Sequence, residues 1–281
     1  MTKGACLCGT VRFEIDGPFQ TMLNCHCSMC RKFNGTAFTT AVVAPLPGFR
    51  WLAGEDAIRP SCASDRRSFC GTCGSATPML RPERQLAVLH AGNLEGDLGI
   101  EPKFHQFVGS KAPWYTITDS LPQFEEWRPE MQAPVVSRPV APPKEGVTQG
   151  SCLCGDVAFE FDGAPLRMVS CHCTRCRLGR SSAHATNVFV ALDSFRWIHG
   201  DAQIASYKVP DARFFTVAFC KRCGGAAPRL SSERGFAVVP AGTLDTDPGI
   251  RPAAHIFVDS KASWFPITDA LPQFAEYPPQ A

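Results

Sequence analysis

Short runs in which apolar and polar residues alternate make up most of the hydrophobic pattern of the chain. Val11, Phe13 and Ile15 alternate with Arg12 and Glu14, as expected of a strand with one buried face. Similar short runs, with β-branched or aromatic residues and Gly or Pro borders, cover residues 37–44, 86–91, 104–108 and 157–161. No long helical stripe interrupts them. The pattern predicts a mainly β fold of short strands and loops.

The same sequence occurs twice along the chain. The segment Gly4–Val11 recurs as Gly150–Val157, an offset of 146 residues. Cys70 corresponds to Cys220, an offset of 150 residues. The second repeat therefore has four extra residues in the connection before its last cysteine pair, as expected of a loop. The tails of both repeats also match. We call the two repeats copy one and copy two.

The length of the chain and its prolines predict two domains. At roughly 100–200 residues per domain, 281 residues suggest two. Between the copies, Pro134, Pro139, Pro142 and Pro143 lie in a segment with little apolar periodicity, which favours an extended spacer. The predicted organisation is a first domain at 1–128, a Pro-rich linker at 129–145 and a second domain at 146–281.

Composition and charge exclude several classes of partner. The chain is 44% hydrophobic and 19% charged, and its net charge is +2, with the basic residues scattered singly. This disfavours nucleic acid as a partner. No apolar run approaches the ~20 residues needed to cross a membrane, and the first cysteine motif begins too early to leave space for a signal peptide. We therefore expect a soluble, cytoplasmic protein.

The 15 cysteines are the unusual feature of the composition. In a reducing cytosol, cysteines at short fixed spacings are more often metal ligands than disulfides. Structural zinc sites are usually built from two short ligand pairs that come from distant parts of the chain. Cys6 with Cys8, and Cys70 with Cys73, form two such pairs, and strand alternation would place the sulfurs of Cys6 and Cys8 on the same side. The same pairs in copy two are Cys152 with Cys154, and Cys220 with Cys223.

Three further cysteines of each copy fall within six residues. These triplets are Cys25, Cys27 and Cys30 in copy one, and Cys171, Cys173 and Cys176 in copy two. Three ligands leave the fourth position of a zinc ion open, as in catalytic or ligand-exchanging sites. Three thiolates make zinc a weak Lewis acid, so an incoming thiol suits it better than water does. The alternative is a closed structural site with a histidine or carboxylate as fourth ligand, and spacing alone also permits other groupings.

Four motifs of copy one, all with counterparts in copy two, carry a family resemblance. They are GACLCG at 4–9, CHCSMCR at 25–31, FCGTCG at 69–74 and the tail at 111–124. These motifs resemble those of the glutathione-dependent formaldehyde-activating (GFA) family. The resemblance implies two tandem zinc-binding β-tent domains. It also implies a carbon–sulfur lyase whose partners are a small thiol, glutathione in the family, and an aldehyde, formaldehyde, which together give S-(hydroxymethyl)glutathione.

The resemblance also divides the cysteines and implies Zn²⁺ as the cofactor, up to two ions per domain and four per chain. It implies a structural zinc at each group of four: Cys6, Cys8, Cys70 and Cys73, and then Cys152, Cys154, Cys220 and Cys223. It implies a second, exchangeable zinc at each triplet, whose cysteines are the catalytic candidates: Cys25, Cys27 and Cys30, and then Cys171, Cys173 and Cys176.

Residues around the triplets are weaker candidates. Arg31 and Arg177 directly follow the triplets and suit a carboxylate or a charged thiol substrate, although a surface ion pair explains them equally well. His26 and His172 lie between ligand cysteines and are either proton shuttles, fourth ligands or residues that face away. Gly35 of copy one is replaced by a serine in copy two, so the two pockets are expected to differ.

Several other conspicuous residues favour a structural explanation. His105 and His255 lie in apolar stretches and are best explained as core or strand-end histidines. Trp114 and Trp264 are expected to complete the core. Cys62 has no counterpart in copy two and is expected to be a free thiol.

Three functions remain open at this point. The first is a zinc-dependent lyase that acts on thiol–aldehyde adducts. The second is a non-catalytic, zinc-stabilised module that binds a protein or a small thiol. The third is a zinc- or redox-responsive carrier that uses the triplets as a labile metal store.

Overall fold

The computed structural model of the protein describes residues 1–64, 66–131 and 142–279. Most of the predicted linker at 129–145 therefore lies outside the described residues, and the domain boundaries stay a prediction. The described residues form a mainly β fold with two short α-helices, in agreement with the sequence pattern. Neither helix is long and apolar enough to cross a membrane.

The two copies have the same elements in the same order. Those of copy one are β1 (Thr2–Ala5), β2 (Arg12–Ile15), β3 (Thr21–Cys25), α1 (Ser28–Asn34), β4 (Thr39–Pro45), β5 (Phe49–Ala53), β6 (Ile58–Pro60), β7 (Ser68–Cys70), β8 (Met79–Arg81), β9 (Leu86–His90), β10 (His105–Gln106) and β11 (Gln123–Phe124). Those of copy two are β12 (Val147–Ser151), β13 (Ala158–Asp162), β14 (Arg167–Cys171), α2 (Thr174–Arg180), β15 (Ala185–Ala191), β16 (Phe195–His199), β17 (Ile204–Lys208), β18 (Thr216–Cys220), β19 (Arg229–Ser231), β20 (Phe236–Pro240), β21 (His255–Ile256) and β22 (Gln273–Phe274).

Each copy contains a three-stranded sheet, a six-stranded sheet and a hairpin. In copy one the orders are β1-β2-β5, β11-β10-β3-β4-β9-β8 and β6-β7. The short strand β10 runs parallel to both β3 and β11, whereas the other pairings are antiparallel. Copy two repeats this arrangement. The triplets begin at the carboxyl ends of β3 and β14, where the chain enters α1 and α2.

Both copies contribute to one hydrophobic core. Phe13 and Trp114 of copy one belong to the same buried cluster as Phe159 and Trp264 of copy two, and all four are at most 2% exposed. The interpretation of the tryptophans as core residues is consistent with this burial. Because strands of two to seven residues bury little surface alone, the shared core gives each copy apolar area that it lacks by itself.

Each helix packs against the opposite copy. Helix α1 contacts the 3₁₀ turn Ala241–Thr243 of copy two, and α2 contacts the turn Ala91–Asn93 of copy one. A Cβ atom on Gly242 would clash with the backbone of Thr36, and one on Gly92 would clash with the backbone of Ser182. Both positions therefore need glycine to let the two backbones approach.

The contacts of α1 and of α2 with the opposite copy, which we call the two helix junctions, differ in chemistry. Lys32 of α1 forms an ion pair of 2.5 Å with Asp245 of copy two, and both side chains are only 8% exposed. The ammonium group also donates to the hydroxyl of Ser151 at 2.7 Å, which helps to offset the cost of burying the charges. At the equivalent position of α2, Leu178 is apolar, and its carbonyl accepts from Ser75 Oγ at 2.9 Å.

The residues that end the two helices explain a difference between the copies. Gly35 (φ 70°) and Ser181 (φ 50°) both adopt the left-handed conformation. A Cβ atom on Gly35 would lie 2.6 Å from Cβ of Ala226, so copy one has no space for a side chain there. In copy two, the Ser181 hydroxyl instead accepts a hydrogen bond from the backbone N–H of Ala76 at 2.9 Å.

We expect Gly35→Ser to destabilise the protein strongly, although the equivalent position of copy two is a serine. The new Cβ would add overpacking of about 1–3 kcal/mol to the roughly 1 kcal/mol cost of a left-handed serine. The reverse change, Ser181→Gly, relieves backbone strain but leaves the N–H of Ala76 without a partner, so a smaller effect is expected. Urea unfolding of both variants measures the difference; equal losses of stability would contradict the packing explanation.

Candidate metal centres

Each group of four cysteines comes together in space. Within each group the sulfur atoms lie within 4.8 Å of one another: Cys6, Cys8, Cys70 and Cys73, and then Cys152, Cys154, Cys220 and Cys223. The Sγ–Sγ distance is 3.4 Å between Cys6 and Cys8 and 3.7 Å between Cys8 and Cys70, and the equivalent distances of copy two are 3.5 and 3.8 Å. Four sulfurs arranged as a tetrahedron around zinc, at a bond length of about 2.3 Å, are about 3.8 Å apart. Both groups can therefore hold a metal ion of this size.

Two turns position the four sulfurs. Cys6 and Cys8 lie in the turn after β1 and not within the strand, so the expected strand alternation is wrong for this pair. The turn, which closes on Gly9 (φ 75°), brings both sulfurs to the same side instead. The second turn follows β7, where Gly74 (φ 74°) donates its N–H to the carbonyl of Cys70 at 2.8 Å.

Each triplet also forms a compact group. The sulfurs of Cys25, Cys27 and Cys30 lie within 4.8 Å of one another, as do those of the copy two triplet Cys171, Cys173 and Cys176. Cys27 precedes α1, and its sulfur accepts the N–H of Cys30 at 3.4 Å. Cys25 and Cys30 are buried, whereas Cys27 is partly exposed. Among the described residues each triplet offers three sulfur atoms, and one of its cysteines is partly exposed.

The histidines inside the triplets face away from the sulfurs. Nε2 of His26 lies 2.8 Å from Nδ1 of His105, whose Nε2 lies 3.0 Å from the carboxylate of Asp119. Copy two has the same chain of His172, His255 and Asp269. The structure thus favours the interpretation that His26 and His172 face away from the sulfurs. It explains His105 and His255 as hydrogen-bonded, buried strand residues.

Burial keeps His26 and His172 neutral. It is the main reason that the pKa of His26 falls to about 3 and that of His172 to about 2; neighbouring histidines lower both further. A neutral ring can donate one hydrogen bond and accept another, as the histidine–histidine contact requires.

One thiol of each triplet is favoured as the thiolate. Hydrogen bonds from the other two thiols hold the pKa of Cys30 well below its usual value, and Arg67 contributes to the same effect. In copy two, hydrogen bonds from the other two thiols lower the pKa of Cys173 to about 3. Thiolate character is what a metal ligand needs.

The arginines that follow the triplets lie close to them. Nε of Arg31 donates to the backbone carbonyl of Ser110 at 3.2 Å, and no ion pair of this arginine is found within the described parts of the chain. Arg177 is partly buried, and burial lowers its pKa. Cys62 is exposed and outside all four cysteine groups, in agreement with the free-thiol interpretation.

The group of four cysteines in copy two supports the triplet helix of copy one. Phe33 of α1 packs in one apolar cluster with Leu153 and with Cys223. The N–H of Ala226, three residues after Cys223, donates to the carbonyls of Lys32 and Phe33 at 3.2 Å each. The last turn of α1 is therefore held by the turn of copy two that carries Cys220 and Cys223. No local sequence signal could have revealed this contact.

Two residues beside the copy one triplet were not singled out by the sequence. Nη2 of Arg67 lies 3.4 Å from Sγ of Cys30, and the buried ring of His90 packs near Phe33. Copy two has Val217 and Pro240 at these positions. Comparing the copies residue by residue would have identified both.

Comparisons with known proteins agree with the motifs. The family model described as glutathione-dependent formaldehyde-activating enzyme matches residues 1–110 and 147–260, which is most of both copies. The comparison with curated proteins gave no match. Among solved structures, the crystal structure of a Rhodobacter sphaeroides protein is 29% identical, over 34% of this chain and 88% of that chain, with a TM-score of 0.28.

We expect Cys223→Ser in copy two to loosen helix α1 of copy one. Disturbing the turn that carries Ala226 weakens two hydrogen bonds to α1, so amide hydrogen exchange within Ser28–Asn34 should rise roughly tenfold. Exchange measured by mass spectrometry on the full chain, peptide by peptide, tests this. The matched control is Cys73→Ser, which should act more weakly on α2 because Gly179 stands where α1 has Phe33. An equal increase in both helices for both variants would show general loosening instead.

Proposed function

Because the chain belongs to the family of glutathione-dependent formaldehyde-activating enzymes, whose model matches both copies, we propose that it is a zinc-dependent carbon–sulfur lyase. It forms or cleaves adducts of a small thiol and an aldehyde, of which S-(hydroxymethyl)glutathione is the expected example. The main support is the division of each copy's seven ligand cysteines into a group of four and a partly exposed group of three.

We assign the groups of four to structural zinc. Their sulfur spacing fits tetrahedral zinc, and thiolate donors suit zinc better than magnesium or calcium. Every corner of the tetrahedron is a cysteine, so no position remains for a substrate. The proposed role of these groups is to hold the turns that follow β1, β7, β12 and β18.

We assign the triplets to a second zinc that exchanges ligands. When bound there, zinc would supply an open coordination position that lowers the pKa of an incoming thiol. Cys25 and Cys30 fix two corners in the interior, while Cys27 lies at the partly exposed edge by which a thiol reaches the site. Cys171, Cys176 and Cys173 have the same roles in copy two.

The reaction needs few other groups. In adduct formation the thiol sulfur bonds to the aldehyde carbon, the carbonyl π bond opens, and the thiol proton ends on the new hydroxyl oxygen; cleavage is the reverse. We propose Arg31 and Arg177 as contacts for a carboxylate of the thiol, because a guanidinium pairs well with a carboxylate and both follow the triplet cysteines directly. His26 and His172 take no part, since their rings face the hydrogen-bonded histidines behind the triplet.

We expect the purified protein to contain zinc at up to four ions per chain and to accelerate formation or cleavage of S-(hydroxymethyl)glutathione. Elemental analysis gives the zinc content, and the rate is compared with the spontaneous reaction of glutathione and formaldehyde. A chelator that removes the triplet zinc should return the rate to the spontaneous value. A protein that carries zinc but gives no rate above the spontaneous reaction would be a binding module instead.

Separate substitutions tell which copy is active. Cys27→Ser and Cys173→Ser each remove one triplet ligand, so each should cost one zinc per chain and, in an active copy, about tenfold or more in rate. The matched control is Cys62→Ser, which changes an exposed cysteine outside the four groups and should alter neither quantity. If both triplet variants kept their zinc and full rate, the assignment of the triplets would be wrong.

A further inference from the structure

Three side chains of copy one form a cluster beside its triplet, and we call them the Arg67 cluster: Phe33, Arg67 and His90. Nη2 of Arg67 lies 3.4 Å from Sγ of Cys30, and the guanidinium lies 5.3 Å from the centre of the Phe33 ring. The His90 ring centre lies 6.4 Å from the centre of the same phenyl ring. Two nitrogen-bearing side chains therefore approach one aromatic ring at the edge of the sulfur group.

The cluster contains buried nitrogens with unused hydrogen-bonding capacity. Nη1 of Arg67 and both ring nitrogens of His90 are buried and find no hydrogen-bond partner in the described part of the chain. His90 is only 2% exposed. A buried polar group without a partner typically costs about 1–3 kcal/mol, so native proteins rarely keep several together without a use for them.

Copy two retains the triplet but replaces the whole cluster. Gly179, Val217 and Pro240 stand at the positions of Phe33, Arg67 and His90. The Val217 side chain fills the space directly, 3.0 Å from where a Cβ atom on Gly179 would lie.

The arginines near the copy two triplet lie at different positions. Arg180 and Arg229 lie near Cys176, and the charge of this cysteine raises the pKa of each arginine. Burial lowers the two pKa values more strongly. No hydrogen bond from either arginine to a triplet sulfur is found in the described residues. Copy two therefore groups its three thiols without a counterpart of the Arg67 cluster. In copy one, Nη1 of Arg67 and the ring nitrogens of His90 are left for a ligand.

We propose that Arg67 and His90 form an oxyanion-binding subsite of the copy one triplet, and that its ligand is a small thiol that carries a carboxylate. The thiol end belongs to the triplet, which rests on the proposed function. The carboxylate accepts hydrogen bonds from Nη1 of Arg67 and from a ring N–H of His90. Because Arg67 already contacts Cys30, the carboxylate must lie only a few bonds from the thiol. Copy two lacks both donors and does not make this distinction.

Two thiols of matched size test the subsite. Mercaptoacetate carries a carboxylate where mercaptoethanol carries a hydroxyl, so their affinities for the zinc-loaded protein, measured by calorimetry, isolate the effect of the charge. Two charge-assisted hydrogen bonds predict that mercaptoacetate binds roughly 10–100-fold more tightly at copy one. Using Cys173→Ser protein limits thiol binding to copy one. Acetate, which has no thiol, should compete poorly.

Substitutions assign the preference to named residues. Arg67→Met keeps the packing on Phe33 and should lower the affinity ratio roughly tenfold, because it removes one charge-assisted hydrogen bond while Arg31 stays in place. Arg67→Lys should keep part of the ratio, and His90→Phe should reduce it. Arg59→Met, which changes an exposed arginine on the same hairpin, is the control and should leave the ratio unchanged. Nuclear magnetic resonance of the ring nitrogens should show His90 responding to mercaptoacetate and not to mercaptoethanol.

The outcomes separate this proposal from the lyase function. An unchanged ratio in Arg67→Met, or acetate competing as well as mercaptoacetate, would overturn the subsite even if adduct turnover is normal. A ratio that depends on Arg67 would support the subsite even if no turnover above the spontaneous reaction is found, and the lyase proposal alone would then fail.

Discussion

The packing of α1 and α2, the helices that begin within the triplets, against the opposite copy is the contact on which the rest of the structure depends. Helices α1 and α2 have seven residues each, too few to be stable alone in water. Their positions are fixed by the triplet cysteines at one end and by the neighbouring copy at the other. Gly92 and Gly242 make this possible, because they allow backbone to approach backbone. The triplets therefore have a defined geometry only when both copies are folded together.

The cysteine groups and the shared core answer the same physical problem. Short strands and many loops bury little apolar surface, and small units of this kind usually need metal staples or a partner. We propose that this chain uses both. With zinc bound, the groups of four cysteines would hold the turns of each copy, while Phe13, Trp114, Phe159 and Trp264 join the copies in one core. Phe33 of α1 packs in a second cluster with Cys152, Cys220 and Cys223, so the cysteine group of copy two also supports the helix of copy one.

Local signals in the sequence were enough to predict the mainly β fold and the repeat. Alternation identified β2, and the run at 104–108 shrank to the two residues of β10 because only His105 and Gln106 pair with β3. The short helices were missed, since seven residues, about two turns, are too few to show an apolar period. Cys6 and Cys8 were placed in a strand because spacing of two fits both a strand and a turn.

What could not be predicted comes from contacts between distant residues. Whether the ring of His26 faces the sulfurs or His105 depends on β10 lying beside β3, which no spacing encodes. The role of Ser181 depends on Ala76, which lies in the other copy. The differences at Arg67 and His90 were visible in the sequence, but their meaning depended on knowing that both approach Phe33.

The buried ion pair of Lys32 and Asp245 has a consequence for how such a protein can evolve. In a symmetric homodimer every interface residue appears twice, so any substitution is tested at both equivalent contacts at once. Fusion of the two copies into one chain removes this restriction. Here one junction has a salt bridge, while the other has the apolar Leu178 at the position of Lys32. Two copies within one chain can thus differ at equivalent contacts, which the subunits of a symmetric homodimer cannot do.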